Sequence, residues 1–151
     1  MSKKDAKEHR SWNMSRIKGK DTSLEMKVRK YLWHRGYRYR KNYRELAGSP
    51  DIVISRYMIV IFVNGCFWHH HNCKLGYTPK SNVDFWSSKF QKNRENDLKN
   101  ILELEQKGYY VITLWECELK QDFVSRMLEL IDEIEIQISK VKNQDYIVEN
   151  E

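Results

Sequence analysis

Hydrophobic and polar positions along the 151 residues fall into blocks of different period. Leu24, Val28, Tyr31 and Leu32, with Arg35 behind them, recur at helical spacing. They follow Thr22-Ser23-Leu24-Glu25, a capping box in which the Thr hydroxyl and the Glu satisfy the first free amides of a helix. Gly36 stops the pattern, so a helix is predicted over 23–35. Residues 37–43 alternate ring and charge and predict a half-exposed strand; 51–54 predict a short strand opening on Asp51. Residues 58–63 have no wet face and belong at the centre of a sheet. A long helix is predicted over 84–107, with Trp86, Phe90, Asp97, Leu98, Ile101, Leu104 and Glu105 roughly along one face and Gly108 past its end. Residues 109–115 read as another buried strand. From about Asp122 the apolar positions Phe123, Val124, Met127, Leu128, Ile131, Ile134 and Ile138 predict a final amphipathic helix. The order helix, three strands, helix, strand, helix predicts an α/β fold, a central mixed sheet with helices on both faces. Residues 1–20 read as a basic arm, 21–142 as a single domain and 143–151 as a loose acidic tail.

Composition narrows the partners. Hydrophobic residues make up 40% and charged residues 32%, as in a globular chain. Lys plus Arg number 27 against 21 Asp plus Glu, and the net charge of +6 suits a polyanion. In the arm, Met14 and Ile17 stand among Arg10, Arg16, Lys18 and Lys20, which fits basic groups on phosphates and apolar groups against bases. Lys89, Lys92, Asn93 and Arg94 form a second polar patch, on the long helix, that could face DNA. No apolar run is long enough to span a bilayer and the first residues lack the core of a signal peptide, so a cytoplasmic protein is expected, without membrane contact. Three cysteines, an odd number kept reduced in the cytosol, favour a metal site over disulfides.

The chemistry concentrates after the central strand, in Val63-Asn64-Gly65-Cys66-Phe67-Trp68-His69-His70-His71-Asn72-Cys73, which holds two of the three cysteines and three of the five histidines. Cys66, His71 and Cys73, with Cys117 from the end of the last strand, make a Cys3His set suited to closed, tetrahedral, structural zinc. His69 or His70 could replace His71 in that set. If the two buried strands are neighbours, zinc pins the loop to the sheet. Asp51, at the start of one strand of a hairpin, is a candidate ligand for a divalent cation that polarises a phosphate and acidifies water. The second strand reads Ile61-Phe62-Val63-Asn64 and carries no Lys base. His69 is the nearest group with the right chemistry to act as one.

In register over about residues 10–120, the chain resembles the very short patch repair (Vsr) endonucleases, T:G mismatch nickases that accompany cytosine-5 DNA methylation. The matching residues are Asn13-Met14, Asp21-Thr22 with Glu25, Pro50-Asp51, Val60-Ile61-Phe62, Gly65 through His71 with Cys73, Phe85-Trp86, Lys92-Asn93 and Trp115-Glu116-Cys117. The resemblance implies a restriction-endonuclease-like fold and hydrolysis of one DNA strand 5′ to the mispaired thymine, which initiates repair of deaminated 5-methylcytosine. It implies magnesium on Asp51 and the Val63 carbonyl, His69 as general base, Glu25 near the metal waters, and zinc on Cys66, His71, Cys73 and Cys117. Phe67, Trp68 and Trp86 would wedge into the duplex, with Met14 and Ile17 entering from the opposite groove. A monomer acting on double-stranded DNA, with mismatch-repair proteins as further partners, follows. The family often has Thr and His where this chain has Val63 and Asn64. A carbonyl survives at 63, while an imidazole near the phosphate is lost at 64.

Two other classes compete. A non-catalytic zinc DNA-binding protein would leave Asp51 and His69 without a role. A nuclease of the His-Asn-His type would need a ββα layout and leave the strand-borne Asp51 unused.

Overall fold

A computed structural model describes residues 22–150 of the chain. The basic arm, with Met14 and Ile17, lies outside the described residues. Helix α1 spans Ser23–His34, strand β1 Arg40–Lys41, strand β2 Ile52–Ile54 and strand β3 Ile59–Asn64. Helix α2, Val83–Gln106, leads to strand β4, Tyr110–Trp115; helices α3, Glu116–Gln121, and α4, Phe123–Glu149, follow. The strands form one mixed sheet in the order β1-β2-β3-β4. The first two pairings are antiparallel; β3 and β4 run parallel, with Ile59 opposite Tyr110 and Asn64 opposite Trp115.

Strand alternation sorts the core into two clusters. Ile52, Ile54, Ile59, Ile61, Ile112 and Leu114 pack with Val28 and Leu32 of α1, Leu119 of α3, and Met127, Leu130, Ile134 and Ile138 of α4. The intervening Val53 and Val60 pack with Leu104 of α2, joined by Phe62 and Val111. Among the described residues no helix is long and apolar enough to cross a membrane.

Local signals explain the element ends. Thr22 caps α1, its hydroxyl accepting the Glu25 N–H at 3.3 Å. Asp122 caps α4 by accepting from the Ser125 amide at 3.1 Å.

Four departures from the sequence reading appear. The strand over 37–43 shrinks to two exposed residues, because its rings turn back onto helices. The Tyr39 hydroxyl donates to the Arg29 carbonyl at 3.0 Å, Tyr37 donates to Glu135, and Asn42 adopts a left-handed backbone that ends the extension. Helix α3 was not expected; at six residues it is too short to show a period, and its one buried side chain is Leu119. The tail over 143–151 is helical as far as Glu149, continuing α4 with exposed side chains. Neither Gly nor Pro occurs after Gly108 to break it. Leu98, read as lying roughly along one face of α2 with Phe90 and Leu104, is 60% exposed while those two are buried.

Candidate active site

The antiparallel β2–β3 hairpin sets Asp51 across from the end of β3, where its Oδ2 accepts the Val63 N–H at 2.7 Å. In a strand the N–H and C=O of one residue point to the same edge, so the Val63 carbonyl faces the Asp51 side as well. Asp51, Val63, Glu25 and His69 line one cleft of about 1350 Å³. The aspartate and the imidazole, although they come from separate segments, line the same cleft.

Burial pushes the Asp51 carboxyl up from 3.8 to about 6. The Val63 amide opposes that rise, the Glu25 carboxylate adds to it, and Arg29 and His69 oppose it. Glu25 is 3% exposed and Arg29 5% exposed, and they pair one helical turn apart at 2.9 Å. A buried carboxylate is thereby matched by a buried cation beside the cleft. Sequence reasoning had placed Glu25 as a cap and a candidate acid, without its partner.

His69 leaves its loop with Nδ1 2.5 Å from Asp97 Oδ2. That contact directs Nε2 away from Asp97 and makes it the ring atom available for proton transfer. Asp97 was read only as one position on a helix face. Its pairing spans 28 residues, and nothing local in the sequence announces it.

The metal set is assembled by the parallel register. Cys66 and Cys117 each follow a paired residue, Asn64 or Trp115, by two positions. The Cys117 amide donates to Cys66 Sγ at 3.3 Å. His71 Nδ1 lies 3.7 Å from Cys66 Sγ and 3.4 Å from Cys117 Sγ. With Cys73, the four ligand atoms lie within 4.8 Å of one another. A tetrahedral zinc with sulfur at about 2.3 Å and nitrogen at about 2.0 Å sets S···N separations near ~3.5 Å, so this donor set fits the ion. His70 is not in the group; its Nε2 contacts Thr78 Oγ1 at 3.1 Å and its ring stacks on Phe90 at 4.6 Å. Burial pushes the Cys66 thiol up to about 12. Burial also raises Cys73, but hydrogen bonds from His71, from the Leu75 and Gly76 amides and from Cys66 outweigh it and bring that thiol to about 7.

Gly76 closes the loop by close approach. A Cβ there would lie 1.8 Å from the His71 carbonyl oxygen. On the cleft side Glu116 accepts the Cys66 N–H at 3.3 Å and pairs with Lys120 at 2.8 Å, joining the metal group to the cleft wall.

Phe67, Trp68 and Trp86 are half-buried in a shared cluster of rings rather than standing free. Phe67 is its hub, with centroids 5.2 Å from Trp68, 5.3 Å from Trp86 and 5.3 Å from Phe90. Asn93, expected to face DNA, donates to the Trp68 carbonyl at 2.8 Å and so braces the loop. Lys89 is exposed on the same helix.

Comparison with known proteins adds three findings. The family model described as "DNA mismatch endonuclease Vsr" matches residues 2–75. The "Type II nicking enzyme V.NmeAIP" of Neisseria meningitidis serogroup A is 51% identical over 117 residues, 78% of this chain and 84% of that protein. The "DNA mismatch endonuclease Vsr" of Escherichia coli K12 is 40% identical over 111 residues, 74% of this chain and 71% of that protein.

Proposed function

The chain belongs to the Vsr family of DNA endonucleases, and from that premise we propose that it nicks one strand of a duplex 5′ to the thymine of a T:G mismatch. The observation that carries this reading is that Asp51 and His69 line one cleft, with a ring cluster beside it. The names of its relatives support both halves: one is called a nicking enzyme, the other a mismatch endonuclease. The core is taken as restriction-endonuclease-like with helices on both faces, which the two alternating clusters support.

Magnesium would be held by Asp51 and the Val63 carbonyl, and when bound it supplies a polarised phosphate and an acidified water. The protein's own groups do the rest. His69 Nε2 takes the proton of the attacking water, and Asp97 stabilises the imidazolium that results. Glu25, fixed by Arg29, orients water at the cation. Zinc on Cys66, His71, Cys73 and Cys117 holds the loop that carries His69. Asn64 donates a hydrogen bond toward phosphate.

Phe67, Trp68 and Trp86 enter the duplex beside the mismatch. A T:G wobble is easier to unstack than a matched pair, and each inserted ring recovers about 1–3 kcal/mol of stacking. Met14 and Ile17 of the arm approach from the other groove, and Lys89 meets backbone phosphate. The enzyme acts as a cytoplasmic, nucleoid-associated monomer that starts repair of deaminated 5-methylcytosine and hands the nick to mismatch-repair proteins.

The test is cleavage of matched oligonucleotide duplexes carrying T:G or T:A at one site, with and without magnesium. One-strand cutting of T:G alone, lost in Asp51→Ala and His69→Ala while DNA binding persists, supports the proposal. Binding with no cutting in the unaltered protein overturns it.

A further inference from the structure

Tyr77 is 61% exposed and lines the same cleft as Asp51 and His69. Its ring leans on Phe67, the hub of the cluster, at 5.4 Å and an interplanar angle of 52°. Its backbone is pinned on both sides. Gly76, just before it, packs against the His71 carbonyl so closely that no side chain fits. Thr78, just after it, contacts His70 Nε2, and the His70 ring is stacked on Phe90. The ring is thus mounted on the metal-binding loop and on the floor of the cluster, with most of its surface turned to solvent.

Other exposed rings lack this combination. Trp33 is 52% exposed, but the Arg38 guanidinium already lies 3.9 Å from its ring centre, and it does not line the cleft. Phe85 is 61% exposed against Trp86, also off the cleft. An aromatic face that leans on Phe67 beside the cleft matches how proteins stack unpaired bases, because every base offers a π-face.

We propose that Tyr77 is a specificity-determining residue of the nicking reaction, its ring stacking on the nucleobase unstacked on the cleft side of the aromatic wedge. The inference rests on the mismatch-nicking reading and names one further contact within it. The ring, and not the hydroxyl, makes the contact. Stacking is gained only where the duplex opens, so Tyr77 favours mismatched over matched DNA.

The experiment uses the full-length, zinc-loaded protein without magnesium. Duplexes carry 2-aminopurine next to a T:G or a T:A pair, and both affinity and fluorescence quenching are read for unaltered protein, Tyr77→Phe and Tyr77→Ala. Expected are a loss of about 10-fold in T:G affinity for Tyr77→Ala, weaker quenching, under about twofold change on T:A, and unaltered zinc content. Tyr77→Phe should match the unaltered protein. Tyr77→Ala that binds and quenches like the unaltered protein overturns the proposal, and so does a Phe variant as impaired as Ala. If the unaltered protein itself fails to prefer T:G, mismatch recognition falls instead, and quenching on both duplexes still judges the Tyr77 contact.

Discussion

His69 Nδ1 and Asp97 Oδ2, contributed by the loop after β3 and by the middle of α2, lie 2.5 Å apart at the edge of the cleft. The aspartate fixes which imidazole nitrogen is offered to water. Asp97→Asn should therefore lower the single-turnover cleavage rate by about 10²-fold or more, within the range a positioned base contributes. DNA affinity and zinc content should not change. Rapid-quench cleavage beside a binding titration checks this, and an unaffected rate would remove Asp97 from the mechanism.

The Asp51 carboxyl gives a pH signature. Its folded value of about 6 lies above the ordinary 3.8, so the stabilising contribution of its protonated form is complete below pH 4 and is lost as pH rises through about 6. The difference corresponds to about 3 kcal/mol at most. Metal-free Asp51→Asn should be more stable than the unaltered protein at pH 7.5 by roughly 1–3 kcal/mol, and should lack that loss between pH 4 and 6. It should not cut DNA. Urea unfolding across pH measures the effect.

The buried Glu25–Arg29 pair predicts strong coupling. Arg29→Leu should cost about 3–5 kcal/mol by removing the cation that faces a buried carboxylate at 2.9 Å. Glu25→Leu combined with Arg29→Leu should regain most of that stability without regaining cleavage. A double-mutant cycle in chemical denaturant tests it; simple additivity would show the pair to be energetically idle.

For the metal group, the purified protein should carry about one zinc per chain, released as the three thiols are reprotonated by acid. Gly76→Ala should lower zinc retention, because the added methyl collides with the His71 backbone. Elemental analysis after dialysis reads both.

On the proposed wedge role, Trp68→Ala should weaken T:G binding by about 5- to 100-fold and leave zinc bound, since Trp68 is not one of the four ligands. Equal affinity for T:G duplex in the variant would count against the wedge.

Signals confined to a few neighbouring residues were readable in the chain. The all-apolar run of β3, the Thr22 cap and the crowd of Cys and His after β3 each declare themselves locally. The Cys66–Cys117 meeting was readable only on the assumption that two buried strands are neighbours, which the parallel register supplies. What stayed hidden depends on tertiary partners. The rings at 37 and 39 leave the strand pattern for helices, and Asn93 also donates to the Trp68 carbonyl of the loop. Asp97 looks like any helix acid until the loop folds over it.

Cys66 and Cys117 stand 51 positions apart and meet only because β3 and β4 lie side by side. The four-ligand group therefore cannot close on an emerging chain until β4 and the start of α3 have left the ribosome. A fragment ending before residue 117 can offer three donors at most. Metal uptake during refolding would then act as a stopwatch for sheet completion, and a zinc-sensitive dye would time the assembly of the loop that carries His69 without any DNA present.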